Sequence, residues 1–161
     1  MDLNPKTVFS SKYALILILF IMPFINVSCS GMADIPLSGL DLAIGETLEL
    51  KDPFSGKIQE HKLPAEPLAS VALLCAIVGL ISGLLYSNRT KLVPPIAGGV
   101  GAVILLLLQS QIAEDALKEG EGLLTAHYSF AYWAVLMLFL TSVGLGVYWH
   151  QNPPENRSDS T

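Results

Sequence analysis

The sequence predicts an all-α integral membrane protein. It should have four transmembrane helices, both termini in the cytoplasm and a small β-hairpin-like first outer loop. Three observations carry that expectation. Hydrophobic residues make up 52% of the 161 positions and charged residues only 14%, where a soluble domain carries about a quarter. The charge deficit is concentrated in four apolar blocks, each near the roughly 20 residues that a helix needs to cross the hydrocarbon core. The basic residues favour the short segments on one side of those blocks.

The first block is 7–27, "TVFSSKYALILILFIMPFINV". It contains Lys12, whose long side chain is expected to snorkel to the interface. The second is 67–86, which opens on Pro67 and carries no charge; Pro is tolerated in a helix's first turn. The third is 92–110 and the fourth 129–149, both also uncharged. Residues 28–66 and 111–128 become outer loops, 150–161 a cytoplasmic tail, and the whole chain a single membrane domain.

Orientation follows the Lys and Arg of short segments next to the spans. With four spans, one side holds Lys6, Lys12, Arg89, Lys91 and Arg157 against Asp2, Glu155 and Asp159. The other side holds four lysines against eleven acidic residues, spread over two longer loops. The first side is therefore expected inside. Aromatic residues at the boundaries agree: Tyr13, Tyr86, Tyr148 and Trp149 on the inner side, Phe24, Tyr132 and Trp133 on the outer.

In the first outer loop, 47–50 and 57–63 alternate as strands do, and "DPFSG" between them supplies turn chemistry. In the second, 113–118 has helix formers that extend the third span, and Gly120 and Gly122 end it.

Little in the chain points to chemistry. There is no nucleotide-binding or nucleophile-elbow motif and no basic cluster for nucleic acid. His61, His127 and His150 are scattered, without the spacing a metal site needs. No metal, cofactor or catalytic residue is expected. The stronger pattern is small residues. Gly79 and Gly83 form a GxxxG extended by Ala72 and Ala76, and the third span has its own set of small residues, among them Gly98, Gly101 and Ala102. Such stripes let helix backbones approach closely. They are the candidate helix-packing or partner-interface residues.

The exit of the first span, "PFINVSCSG", admits three readings: a retained helix, a lipoprotein box acylated at Cys29, or ordinary signal cleavage. Asn26 stands where a lipoprotein box has a branched apolar residue, which favours the retained helix and leaves Cys29 a candidate lipidation site. The stretch, with "IPLSGLDLAIG" after it, resembles a group of small uncharacterised bacterial four-helix membrane proteins. Their first helix exits through Pro-Phe-x-x-Val-Ser-Cys-x-Gly, followed by Leu-x-Gly-x-x-Leu-Ala-x-Gly. The matching residues are Pro23, Phe24, Val27, Ser28, Cys29, Gly31, Leu37, Gly39, Leu42, Ala43 and Gly45. The resemblance implies a bacterial inner-membrane protein and supplies no activity.

The function expected from these features is that of a non-enzymatic accessory or structural subunit. It would sit in the lipid bilayer and pack against a membrane-protein partner or a second copy of itself. The alternative is a small transporter or channel for a neutral or hydrophobic solute, lined by Ser70, Ser82, Gln109 or Thr141. An enzyme using the outer-loop acids and His127 is the third reading.

Overall fold

The computed structural model describes residues 5–29, 35–51, 58–63, 65–85, 87, 90–119 and 124–152. The chain begins with α1 (Pro5–Phe20), β1 (Pro23–Cys29), β2 (Ile35–Ser38) and α2 (Gly39–Ile44). A hairpin of β3 (Glu46–Lys51) and β4 (Ile58–Leu63) follows. Then come α3 (Pro67–Leu84), α4 (Val93–Glu119), β5 (Leu124–Tyr128) and α5 (Phe130–Gln151). Among the described residues, three helical segments are long and apolar enough to cross a membrane: Pro67–Leu84, Val93–Ile112 and Phe130–Gln151.

The first block differs from its expectation. The helix stops at Phe20, and residues expected as its last turns form β1. Pro23 is the cause. It has no N–H to give and its ring would clash with the carbonyl of Leu19, four residues back. The helix tightens before it: the Ile21 and Met22 amides bond to the carbonyls three residues back, Ile18 and Leu19, at 3.1 and 3.0 Å. With 16 residues, α1 is about 24 Å long, shorter than the roughly 30 Å hydrocarbon core.

The protein is therefore not all-α. β1 is the central strand of a three-stranded antiparallel sheet, ordered β2-β1-β5. Pro23 heads the strand, where its missing N–H does least harm. Asn26 pairs with Pro36 on one side and with His127 on the other. The hairpin expected in the first outer loop is present, with Glu46 opposite Leu63 and Lys51 opposite Ile58. The helical extension of the third span also stands, reaching Glu119.

α1 lies antiparallel to α3 and α5. Phe9 packs near Gly83 and edge-on to Trp149, while Phe24, just past the helix, meets Tyr132. The start of α1, the ends of α3 and α5 and the beginning of α4 thus gather at one end of the bundle. The three-stranded sheet closes the other end, with β1 leaving α1 and β5 leading into α5.

The bundle is apolar on both sides. Its interior holds Phe9, Tyr13, Ile16, Phe20, Phe24, Leu105, Leu108, Tyr132, Val135 and Phe139, none more than 1% exposed. Its exterior shows Ile18, Leu74, Val103 and Met137, each more than half exposed. Water would penalise so continuous an apolar surface, and lipid would not.

Candidate functional site

The predicted small residues lie at the meeting of α1, α3, α4 and α5. Buried α1 residues Phe9, Tyr13, Ile16 and Phe20 recur every three or four positions, so they share one face. That face enters the groove made by Ala72, Ala76, Gly79 and Gly83, all buried on α3. A methyl group on Gly79 would lie 2.2 Å from the Tyr13 ring, and one on Gly83 would lie 3.1 Å from the Ser10 nitrogen. Gly98 and Gly101 of α4 receive α5: their methyl groups would lie 2.9 Å from the Phe139 carbonyl oxygen and 2.8 Å from its ring. Ala102 is buried beside them. All seven small residues therefore face the chain's own interior.

Three of the aromatic residues expected at the interfaces are turned inward, while Tyr148 is exposed near the end of α5 and Tyr86 lies outside the described residues. Tyr13, Phe24 and Tyr132 are core residues, and only Trp133 of the outer set is largely exposed. Each buried phenol has a reason to be inside. Tyr13 donates to the Pro94 carbonyl in the first turn of α4. Tyr132 donates to the Leu105 carbonyl at 2.7 Å. Tyr128, on β5, donates to the Gln109 carbonyl at 3.1 Å, and burial pushes its phenol up from the ordinary value. These bonds meet the cost of placing a hydroxyl in an apolar interior.

The segment of the resemblance forms a clamp beneath the sheet. Ser38 and Asp41 make a capping box at the start of α2: the Asp41 amide bonds to Ser38 Oγ at 3.1 Å and the Ser38 amide to Asp41 Oδ2 at 2.9 Å. Gly39 lies against Phe20 and Phe24, where a methyl group would be 2.8 Å from the Phe24 ring. Gly45 has φ 83°, a conformation L side chains rarely adopt. Ser70 Oγ donates to the Ala43 carbonyl at 2.5 Å and the Glu66 amide to the Leu42 carbonyl at 2.8 Å, fixing α2 to the start of α3. Cys29 ends β1, its backbone opposite Leu124; its side chain lies outside the described residues.

The polar residues proposed to line a path are dispersed. Ser82 donates to the Gly79 carbonyl at 3.0 Å, Thr141 to the Leu138 carbonyl at 3.0 Å, and Gln109 stands beside Tyr132. Among the described residues, no three of His, Cys, Asp and Glu come close enough to hold a metal. His127 and His150 are exposed at opposite ends of the bundle.

One charged group was missed. Lys12 does not snorkel out. It is half-buried between α1 and α5, and its Nζ donates to Thr141 Oγ1 at 2.7 Å. Thr141 is ten residues from the end of α5 and eleven from its start, about 15 Å from either at 1.5 Å per residue. The signal was in the sequence: a lysine inside an apolar block deserved to be placed at its depth rather than assigned to the interface.

No family model, no curated protein and no solved structure matches the chain. Among its described residues the chain is mostly helical, with three helices long and apolar enough to cross a membrane.

Proposed function

We propose that the protein is a non-enzymatic accessory or structural subunit of the bacterial inner membrane. Its four helices cross the bilayer with both termini cytoplasmic. The observation that carries this reading is the filled interior. Aromatic side chains of α1 and α5 occupy the axis of the bundle, and the small residues of α3 and α4 close around them. An interior filled in this way supports a packing role over that of a solute path. The bundle offers instead a rigid apolar surface on which another membrane protein can rest.

α1 serves as the fourth span despite its length. It accompanies α5 from Trp149 to Phe139, and the turn that follows it reaches Tyr132. The short helix and its turn therefore match most of the height of α5. The resemblance to small bacterial four-helix membrane proteins and the basic bias of the shared terminal end favour the inner membrane with that end inside.

Purification of the full chain in mild detergent tests the proposal. A stoichiometric membrane-protein partner or a defined homo-oligomer is the expected result, and a monomer at every detergent concentration overturns it. Cysteines placed at Ser87 and Asn152 are expected to label only from the cytoplasmic face. Labelling from opposite faces overturns the topology.

A further inference from the structure

Lys12 is a cation at mid-height of the bundle whose one partner among the described residues is neutral. An ammonium has three donors. The Thr141 hydroxyl, whose own proton goes to the Leu138 carbonyl, accepts one of them. Among the described residues no carboxylate stands against it. A lysine at this depth is costly unless something compensates it.

Beside it lies an unfilled flat spot. Gly144 is three residues from Thr141, on the same side of α5. Gly79, Gly98, Gly101 and Gly146 each press against a side chain or carbonyl of this chain, yet a methyl group on Gly144 would meet nothing within 4 Å. Leu15, one turn from Lys12 on α1, is also exposed. A charge, a flat glycine and apolar flanks thus share one outer face at the α1–α5 seam.

Resting on the subunit reading above, we propose that this face receives a transmembrane helix of a different membrane protein. That helix would carry an Asp or Glu at mid-depth that pairs with Lys12, and its backbone would lie close over Gly144. A second copy of this chain cannot supply the acid, because neither α1 nor the three candidate spans contain Asp or Glu. In the topology proposed above, lipid phosphates lie beyond the helix ends, about 10 Å from Lys12 along α1 and about 15 Å from Thr141 along α5, and the ammonium turns to Thr141 instead. The tail beyond Asn152 is too polar to follow Lys12 into the bilayer.

The test is quantitative affinity purification of the full chain from its own membranes in mild detergent, as wild type, Lys12→Met, Lys12→Arg and Gly144→Leu. The expected partner is one stoichiometric protein with an acidic residue inside a spanning helix. Lys12→Met and Gly144→Leu should each reduce its recovery at least tenfold, with the chain itself melting no lower than wild type, while Lys12→Arg keeps it. Changing the partner's acid to its amide should cause the same loss, and exchanging the two charges should restore binding. If Lys12→Met fails to accumulate, the partner's amide variant decides, since it leaves this chain intact. A partner that survives both Lys12→Met and Gly144→Leu, or one without an intramembrane acid, overturns the proposal and leaves the subunit reading standing. Recovery of the chain alone overturns both, and a homo-oligomer alone overturns this proposal only.

Discussion

The two sides of α1 are built on different principles. Toward α3, Phe9 and Tyr13 enter a groove of Ala72, Ala76, Gly79 and Gly83, where the fit leaves no room for one added carbon at Gly79. Toward α5, on the flank of the helix, Lys12 touches Thr141 through a single polar contact and Gly144 lies uncovered. The first seam is finished within the chain. The second is not. In a bilayer, helices gain nothing from hiding apolar surface from lipid, so close packing and polar contacts must hold them together. A seam that has used up its small residues is structural. One that keeps a glycine and a charge on its outer side has contacts left to make.

The largest expected effect tests the closed seam. Gly79→Leu drives a branched side chain into the Tyr13 ring, which already lies 2.2 Å from where its first carbon would stand. Overpacking of this kind costs about 3 kcal/mol or more, so thermal unfolding in detergent should show a large loss of stability. Tyr13→Ala in the same chain should recover part of it, as contacting residues couple. Full stability of Gly79→Leu would mean that α1 does not occupy this groove.

Next in size is the junction where helix turns to strand. Gly39→Ala presses on the Phe24 ring at 2.8 Å and should cost about 1–2 kcal/mol. Tyr13→Phe removes one buried hydrogen bond to the Pro94 carbonyl and should cost about 1 kcal/mol. Both are read from the same melting curves, and a wild-type melt for both would detach these contacts from stability.

Much of the architecture was legible because it is local. Uncharged runs, the GxxxG of α3 and the alternation of the two hairpin strands each sit within a few dozen residues, while the turn read in "DPFSG" lies outside the described residues. The strand β1 was not legible. Its apolar composition suits a helix end as well as a strand, and period cannot separate them over so short a run. Pro23 is the available signal, since it disfavours helix in the residue before it and removes a helical hydrogen bond. β5 was harder still, since its partner β1 lies about a hundred residues earlier and nothing in "LTAHY" announces it. The stripe of small residues was found, but not which aromatic side chains fill it. Tyr13, Phe24 and Tyr132 look like interfacial residues until the fold shows their hydroxyls and rings turned inward.

The open seam should respond differently. Lys12→Met loses a hydrogen bond to Thr141 but also removes a charge from mid-bundle, and a charge there costs about 2.5–3.5 kcal/mol on insertion scales. The isolated chain should therefore melt at or above the wild-type temperature. A marked loss of stability would make Lys12 an internal brace and move the α1–α5 contact into the class of the α1–α3 seam.

The smallest effect is the most informative control. Gly144→Ala adds the same carbon that Gly79 cannot accept, at a position with nothing within 4 Å. Glycine inside a helix gives up roughly 0.5–1 kcal/mol relative to alanine, so the isolated chain should be unchanged or slightly stabilised. The two alanine substitutions, Gly79→Ala and Gly144→Ala, are chemically identical and differ only in what the chain has placed beside them. If Gly144→Ala destabilised the chain as Gly79→Ala should, the glycine would be packed from within, and the distinction between a closed and an open side of the bundle would fall. If it leaves stability intact, any constraint that keeps glycine there comes from outside the chain.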